Sequence, residues 1–234
     1  MNNKIVRSEL KYFISKQESI ILEKKLNCIL EKDYHVKDDG YFIRSIYFDS
    51  HEDECLYDKQ MGRLDRKKYR LRIYSLSDDN VKFEIKNKVN NQILKETAVI
   101  SSESAKKIIN GNFEELLKYK NPILNRAYVE FSTKHYTPKV VVDYKRVAFK
   151  HMLSNFRITI DKNLSSNCTN FDIFSTNFST LPVQLDGRYI LEIKYDRFFP
   201  KFIRGLLTSS CQNLAISKYT LTRRFLKTMS WQDN

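Results

Sequence analysis

The sequence predicts an α+β fold in which an antiparallel sheet or barrel is decorated by helices. Strand-like segments follow one another through short, turn-rich links, and β-α-β alternation is rare. The 14 tyrosines and 15 phenylalanines favour strands and a substantial core. A chain of 234 residues with 41% hydrophobic content suits one large domain, and we expect residues 1–234 to form it.

The first elements are a strand, a helix and a second strand. IVRSELKYF (5–13) predicts the first strand. Ser15 and Glu18 have capping-box spacing, and the apolar residues after them recur at helical intervals, which predicts a helix from about 16 to 31. YFIRSIYFDS (41–50) is typical of a strand, and a short helix is expected after it.

The middle of the chain predicts a three-stranded meander, because the links between its strand-like runs are short. Its strands are expected over 67–75, 81–88 and 92–100. A helix is predicted over 101–110, and residues 113–135 are expected to be helical with an interruption near Pro122.

The last third predicts three more strands, over 139–150, 155–161 and 188–196. RFFPKFIRGLLTSS (197–210) predicts a helix with Pro200 in its first turn. AISKYTLTRRFL fits a strand or a helix equally well, and residues 162–187 match no motif.

Charge and cysteine content narrow the class of protein. The net charge of +13 implies a polyanionic partner, namely nucleic acid, an anionic membrane or a phosphorylated ligand. The four cysteines lack metal-ligand spacing, which favours free thiols in a reducing cytosol. No signal peptide or membrane span is recognisable, so we expect a cytoplasmic protein.

Several strands carry one charged and one apolar face. In KFEIKNK, alternation places Lys82, Glu84, Lys86 and Lys88 opposite Phe83 and Ile85. An open sheet with a solvated face, the commoner arrangement, and a closed barrel with a charged interior both fit this pattern.

Carboxylates precede lysines by two residues in three strands, at Glu9–Lys11, Glu84–Lys86 and Glu192–Lys194. A carboxylate repels a bare phosphate, but a hard divalent cation can bridge carboxylate and phosphate oxygens. The mixture of arginine, lysine and glutamate therefore fits a metal–triphosphate complex better than bare nucleic acid.

An ordered set of motifs resembles the VTC domain, a polyphosphate polymerase module whose family belongs to the triphosphate tunnel metalloenzymes, also called the CYTH superfamily. The motifs are SELKYF, IRSIYFDS, RKKYRLRIY, FEIKNK, DYKRVAF, FRITID, ILEIKYD and ISKY. The resemblance implies a closed antiparallel β-barrel of about eight strands with helices packed outside. It also implies transfer of the ATP γ-phosphate to a growing polyphosphate chain, with release of ADP, inside a basic tunnel.

The resemblance also implies roles for particular residues. The catalytic residues would be Arg70, Arg72, Lys86, Arg146, Arg157 and Lys218. Substrate would be bound by Lys11, Lys88, Lys95, Lys194 and Ser217. Glu192, Glu9 and Glu84 would bind the divalent metal, Mn²⁺ or Mg²⁺, and for Glu84 a salt bridge that positions a neighbouring cation is an equal alternative.

The implied partners are ATP and polyphosphate, and no nucleic acid is expected. A membrane-protein partner and the choice between monomer and homodimer stay open. A tripolyphosphatase or nucleoside triphosphatase of the same fold would use the same residues with water as acceptor. A polyphosphate-binding module without turnover and a nucleic-acid-binding protein are the further alternatives.

Overall fold

The computed structural model describes residues 7–33, 36, 39–89, 92–151, 155–184, 186–196, 199, 201–207 and 214–231. These residues form an α+β fold, as the sequence predicts. The strands are β1 (Arg7–Ile14), β2 (Glu31–Lys32), β3 (Tyr41–Asp49), β4 (Tyr69–Ile73), β5 (Asn80–Val89), β6 (Gln92–Ser101), β7 (Thr137–Lys150), β8 (Arg157–Asn167), β9 (Leu181–Pro182) and β10 (Tyr189–Asp196). The helices are α1 (Lys16–Asn27), α2 (Glu54–Gln60), α3 (Ser102–Ile109), α4 (Pro122–Thr133), α5 (Lys201–Arg204) and α6 (Lys218–Trp231), with a 3₁₀ helix at Phe113–Tyr119.

The longer strands share one large sheet in the order β1-β10-β8-β7-β3-β4-β5-β6, with β2 beside β7 and β9 beside β8. The pairs β1–β10, β10–β8, β2–β7, β3–β4, β4–β5 and β5–β6 are antiparallel. Within the described residues β1 and β6 end this order, and the sheet is not closed. The α+β class and the large antiparallel sheet with its helices are confirmed, and the closed barrel is not.

The chain divides into two compact units, and β3, β7, β8 and β9 contribute residues to both. The first unit comprises residues 1–42, 144–164 and 182–217. Its core lies between α1 and the apolar faces of β1, β8 and β10, where Tyr12, Leu26, Ile158 and Leu191 are buried. The capping box that starts α1 is present, with Ser15 and Glu18 each bonded to the other's backbone N–H.

The second unit comprises residues 43–143, 165–181 and 218–234. An aromatic cluster fills its core, and Phe131 of α4 lies at the centre. The Phe131 ring stacks on Tyr136 with 4.7 Å between centroids and meets Tyr69 edge-on at 5.2 Å. Such contacts add to the free energy that burial of these rings contributes.

Buried Asp49 at the end of β3 connects three segments of the second unit. Its carboxylate accepts hydrogen bonds from the backbone N–H groups of Ser50, Cys55 and Leu56, which hold the start of α2. The Tyr219 hydroxyl of α6 donates a further bond of 2.6 Å to the same carboxylate. Burial and the nearby Asp49 charge raise the pKa of Tyr219, so its hydroxyl keeps the proton that it donates.

Two predicted helices are wrong in extent, and one ambiguous segment is resolved. Helix α1 ends at Asn27, not at 31, because Glu31 and Lys32 pair with β7. The helix predicted over 197–210 is reduced to Lys201–Arg204 within the described residues, and Pro200 lies outside them. The AISKYTLTRRFL segment enters helix α6 at Lys218.

The remaining boundaries agree with the sequence to within a few residues, apart from β8, which runs to Asn167. Cys28, Cys55 and Cys168 are free thiols, and Cys211 lies outside the described part of the chain. No helix among the described residues has the length and apolar character needed to cross a bilayer.

Candidate functional site

Strands β4 and β5 present a charged face, as the alternation of their side chains predicts, and Lys95 of β6 adds to it. Phe83 and Ile85 are buried on the opposite face. Glu84 is only 2% exposed although it lies on the charged side. A buried carboxylate needs compensating charge, so its neighbours decide what this face can do.

Three cations surround Glu84, and together with Tyr47 they form what we call the Glu84 cluster. Arg70 Nε donates a 2.6 Å hydrogen bond to Glu84 Oε2, and Arg72 Nη1 lies 3.7 Å from the same oxygen. Lys95 Nζ forms an ion pair with Oε1. The antiparallel register explains this convergence, because Arg70 lies directly opposite Glu84 and next to Tyr47 on β3.

The electrostatics of the Glu84 cluster favour the ionised carboxylate. Burial alone would raise the pKa of Glu84, but the charges of Arg70, Arg72 and Lys95 outweigh it and hold the pKa well below its usual range. Three cations against one anion leave the cluster with an excess of positive charge. The cluster therefore favours a bound polyanion.

The ionisation of Glu84 predicts how stability depends on pH. Because its pKa is lower in the folded chain, Glu84 stabilises the fold above the ordinary value of 4.5, and this contribution is lost as pH falls below it. We expect the free energy of unfolding of Glu84→Gln to fall less than that of the unchanged protein between about pH 7 and pH 3. Urea unfolding at each pH measures this free energy, and an equal decrease in the two proteins would contradict the prediction.

Tyr47 holds the other end of the Arg70 side chain. Arg70 Nη1 donates a 3.1 Å hydrogen bond to the Tyr47 hydroxyl, and the Tyr47 ring stacks on Tyr219 at 5.4 Å. Burial alone would raise the pKa of Tyr47, but Arg70, Arg72 and Lys218 lower it overall. The Arg70 guanidinium is thus fixed by a carboxylate and a phenol.

The other predicted cations of this unit extend the charged face. Lys86 lies opposite Lys95 on β6, and Lys88 lies opposite Ile93. Lys218 is the first residue of α6, and its charge acts on Tyr47. In the second unit, Arg70, Arg72 and Lys95 therefore surround Glu84, and the charge of Lys218 reaches Tyr47. Lys86 lies on the same strand as Glu84, opposite Lys95.

A second group of charges, the Glu192 cluster, lies on β1 and β10 of the first unit and consists of Glu9, Lys11, Glu192 and Lys194. The register places Glu9 opposite Lys194 and Lys11 opposite Glu192. Lys11 Nζ lies 2.6 Å from Glu9 Oε1 and 3.5 Å from Glu192 Oε2. Lys194 Nζ lies 2.5 Å from Glu192 Oε1.

The Glu192 cluster brings two carboxylates close together on neighbouring strands. Its two carboxylates share the Lys11 ammonium, and Glu192 also pairs with Lys194, so two carboxylates balance two ammonium groups. Among the described residues no group of three His, Cys, Asp or Glu side chains could hold a metal. A pair of carboxylates is nevertheless what Mg²⁺ commonly takes from a protein when phosphate oxygens and water complete its coordination.

Lys11 also ties the SKY motif to the first strand. Its ammonium donates a 3.2 Å hydrogen bond to the Ile216 carbonyl, and the Leu214 N–H donates to the Lys11 carbonyl. Ser217 therefore lies one residue beyond a contact with β1.

Two of the predicted catalytic arginines, Arg146 and Arg157, are held by aspartates. Arg146 makes a bidentate ion pair with buried Asp161, at 2.6 and 2.8 Å. Burial alone would lower the pKa of Arg146, but Asp161 raises it well above its usual value. Arg157 donates from Nη2 to Asp33 at 2.8 Å, and its Nε has no hydrogen-bond partner among the described residues.

The Arg146–Asp161 pair predicts a large loss of stability in Asp161→Ala. This substitution leaves the Arg146 side chain, which is only 12% exposed, without its bidentate partner, and such a loss costs about 3–5 kcal/mol of unfolding free energy. Asp186→Ala removes an exposed carboxylate from Arg188 and is the matched control, with an expected cost below about 1 kcal/mol. Chemical denaturation measures both, and equal small losses would show that the buried pair stabilises little.

Sequence patterns did not indicate several charged contacts that the structure contains. Arg44 of β3 makes a bidentate pair with Asp143 and donates to the carbonyls of Ile173 and Ser175. Its guanidinium also lies 4.1 Å from the centre of the Phe178 ring. The position of Arg44 within the apolar run YFIRSIYFD could have indicated such contacts, since a charged side chain is rarely buried without partners.

Solved structures share this fold, including two proposed adenylate cyclases. A proposed adenylyl cyclase from Hippeastrum, described as having a dominant triphosphatase activity, has a TM-score of 0.56 and 14% identity, over 94% of this chain and 96% of that one. A proposed adenylate cyclase from Bacillus halodurans has a TM-score of 0.51 and 14% identity, over 91% and 94%. At such identity the likeness concerns the fold alone.

The family comparison confirms what the ordered motifs indicate. None of the curated proteins compared matches the chain. The model of the VTC domain, however, matches residues 6–227, which is nearly the whole sequence. The chain therefore belongs to the VTC domain family.

Proposed function

We propose that the protein is an ATP-dependent polyphosphate polymerase that transfers the γ-phosphate of ATP to a growing polyphosphate chain and releases ADP. The Glu84 cluster is the observation that carries this proposal. Its cations are fixed on strands and exceed its carboxylates in number, which is the arrangement that phosphoryl transfer requires. Membership of the VTC family supports the choice of polyphosphate as product.

In this proposal Arg70 and Arg72 bind the phosphate that is transferred. Glu84 serves as the positioning residue for Arg70. For Glu84, this role is the alternative to binding the metal. A cation added beside Glu84 would meet three positive charges already in place. Lys86, Lys88 and Lys95 contribute positive charge along the same face.

The proposal assigns metal binding to Glu192 and Glu9. When bound, Mn²⁺ or Mg²⁺ would withdraw charge from the phosphate oxygens that it contacts. Lys194 and Lys11 form ion pairs with the two carboxylates and orient them. Arg146 and Arg157 would contribute through the guanidinium nitrogens that their aspartates leave available, and Ser217 and Lys218 would bind the phosphates of the substrate.

The reaction is a direct in-line displacement. A terminal phosphate oxygen of the acceptor chain forms a bond to the γ-phosphorus, and the bond from that phosphorus to the β–γ bridging oxygen breaks. ADP leaves with the bridging oxygen, and the arginines neutralise charge on the three equatorial oxygens. No side chain is needed as a covalent nucleophile.

The proposal includes a single domain and a closed tunnel. Residues 1–234 would act as one catalytic domain in the cytoplasm, with the eight long strands closing into the tunnel that the family implies. A variant in each unit tests the single catalytic domain. Arg70→Ala and Glu192→Ala should both strongly lower the rate of synthesis, since each unit supplies one cluster.

A tripolyphosphatase is the second candidate. It would use the same clusters with water in place of the acceptor chain, and the Hippeastrum protein of similar fold is described with such an activity. The products separate the two reactions, because only a polymerase makes chains longer than its substrate.

The test is incubation of the purified protein with ATP and Mn²⁺. Polyphosphate is resolved by length on a gel, while ADP and free phosphate are quantified. We expect a polyphosphate ladder with stoichiometric ADP. Free phosphate without a ladder would identify a triphosphatase, and tight polyphosphate binding without either product would identify a binding module. Nucleic-acid binding with a steep salt dependence and no effect of Glu192 variants would overturn all three.

A further inference from the structure

The outward face of helix α1 lies apart from both clusters and combines apolar with basic side chains. Ile20 and Ile21 are 48% and 54% exposed, and Ile29 just beyond the helix is 45% exposed. Lys16, Lys24 and Lys25 are exposed on the same side. We call these six residues the Ile20 face. Leu22 and Leu26 point into the core instead, so the exposed isoleucines are not needed to pack the helix.

The carboxylates of α1 do not neutralise this face. Glu18 accepts a 2.7 Å hydrogen bond from the Ser15 N–H as part of the capping box. Glu23 pairs with Lys162 at 3.0 Å and accepts a hydrogen bond from Ser19. Within the described residues Lys16, Lys24 and Lys25 form no ion pair, so the outward charge of the helix is entirely positive.

Helix stability accounts for part of this pattern only. Lysines in the last turn interact favourably with the helix dipole, which explains Lys24 and Lys25. Helix stability does not explain the two adjacent exposed isoleucines. Isoleucine is a poor helix former, and its exposure to water is unfavourable. A basic surface that also exposes alkyl groups can bind an anionic bilayer, because the lysines are attracted to the headgroups and the alkyl groups leave water.

We propose that the Ile20 face docks the protein on an anionic lipid surface, with Ile20, Ile21 and Ile29 entering the acyl boundary and the lysines contacting headgroup phosphates. Nucleic acid suits the face less well, because isoleucine contributes little to phosphate or base contacts. A second copy also suits it less well, since a two-fold contact through this face would bring Lys24 and Lys25 toward the same lysines of the partner.

The test is co-sedimentation of the full chain with vesicles of phosphatidylcholine alone or with added phosphatidylserine. We expect binding only to the anionic vesicles and a decrease with salt. Ile20→Ser/Ile21→Ser should lower the partition coefficient at least about tenfold, because it removes the inserted alkyl groups. Serine matches isoleucine in helix propensity, so α1 should persist. Lys24→Glu/Lys25→Glu should abolish binding by reversing the charge.

Matched variants in the second unit serve as controls. Leu117→Ser/Val129→Ser removes two apolar side chains that are 42% and 56% exposed. Lys106→Glu/Lys120→Glu makes the same change in net charge at exposed positions. Both should bind vesicles like the unchanged protein.

Three results would overturn the proposal. The first is absence of vesicle binding, and the second is equal loss in test and control variants. The third is a dimer, seen by light scattering without vesicles, that Ile20→Ser/Ile21→Ser converts to a monomer. Each variant's polyphosphate synthesis is measured without lipid, so failure of the catalytic proposal and failure of this one are distinguished.

Discussion

Replacing Arg70 with alanine is expected to lower the rate of polyphosphate synthesis from ATP by about 10²–10³-fold. The loss follows from the geometry of the Glu84 cluster, in which Glu84 and Tyr47 hold the Arg70 guanidinium in place before substrate binds. Such a group needs no reorganisation when charge develops on the transferring phosphate. The rate of ADP release at saturating ATP measures the effect.

The fold should survive this substitution, because Arg72 and Lys95 still compensate the Glu84 charge. Arg70→Lys keeps the charge but loses the planar fork, so we expect an intermediate rate. Arg126→Ala is the matched control, since Arg126 also pairs with a glutamate, Glu96, but is 61% exposed. A fully active Arg70→Ala protein would remove Arg70 from the catalytic residues.

Substitution of Glu192 by glutamine should weaken metal binding and lower activity together, by about 10²-fold at limiting Mn²⁺. Glutamine keeps the size of the side chain but removes the negative charge that a hard cation requires. Excess Mn²⁺ should restore part of the activity. Paramagnetic titration of Mn²⁺ in the presence of a non-hydrolysable ATP analogue measures the affinity without turnover.

Glu96→Gln is the control for this experiment, because Glu96 pairs with Arg126 and should leave the Mn²⁺ dependence unchanged. Glu9→Gln should resemble Glu192→Gln if both carboxylates hold the same cation. An unchanged Mn²⁺ affinity in Glu192→Gln would assign the Glu192–Lys194 pair a structural role.

The strand pattern made most of the architecture predictable. Alternation along KFEIKNK correctly separated Phe83 and Ile85 from the charged side, since a strand has only two faces. The capping box at Ser15 correctly placed the start of α1. These features depend on residues close together in sequence, which a single sequence displays directly.

The features that escaped prediction depend on distant residues. The end of α1 is decided by pairing of Glu31 and Lys32 with β7, more than a hundred residues further along the chain. The opposition of Arg70 and Glu84 follows from the β4–β5 register, and the partners of Arg146 and Arg157 follow from tertiary packing. Candidate residues were thus available from the sequence, whereas their pairings were not.

The hydrogen bond from Tyr219 to Asp49 has a consequence for biosynthesis. The two residues are separated by 170 positions, so the ribosome must add nearly three quarters of the chain after Asp49 before its partner emerges. Until then the nascent second unit lacks α6 and the contact that α6 makes with the end of β3. Long-range closure of this kind slows folding, and it makes the interval before Tyr219 emerges the period in which a nascent chain most needs a chaperone.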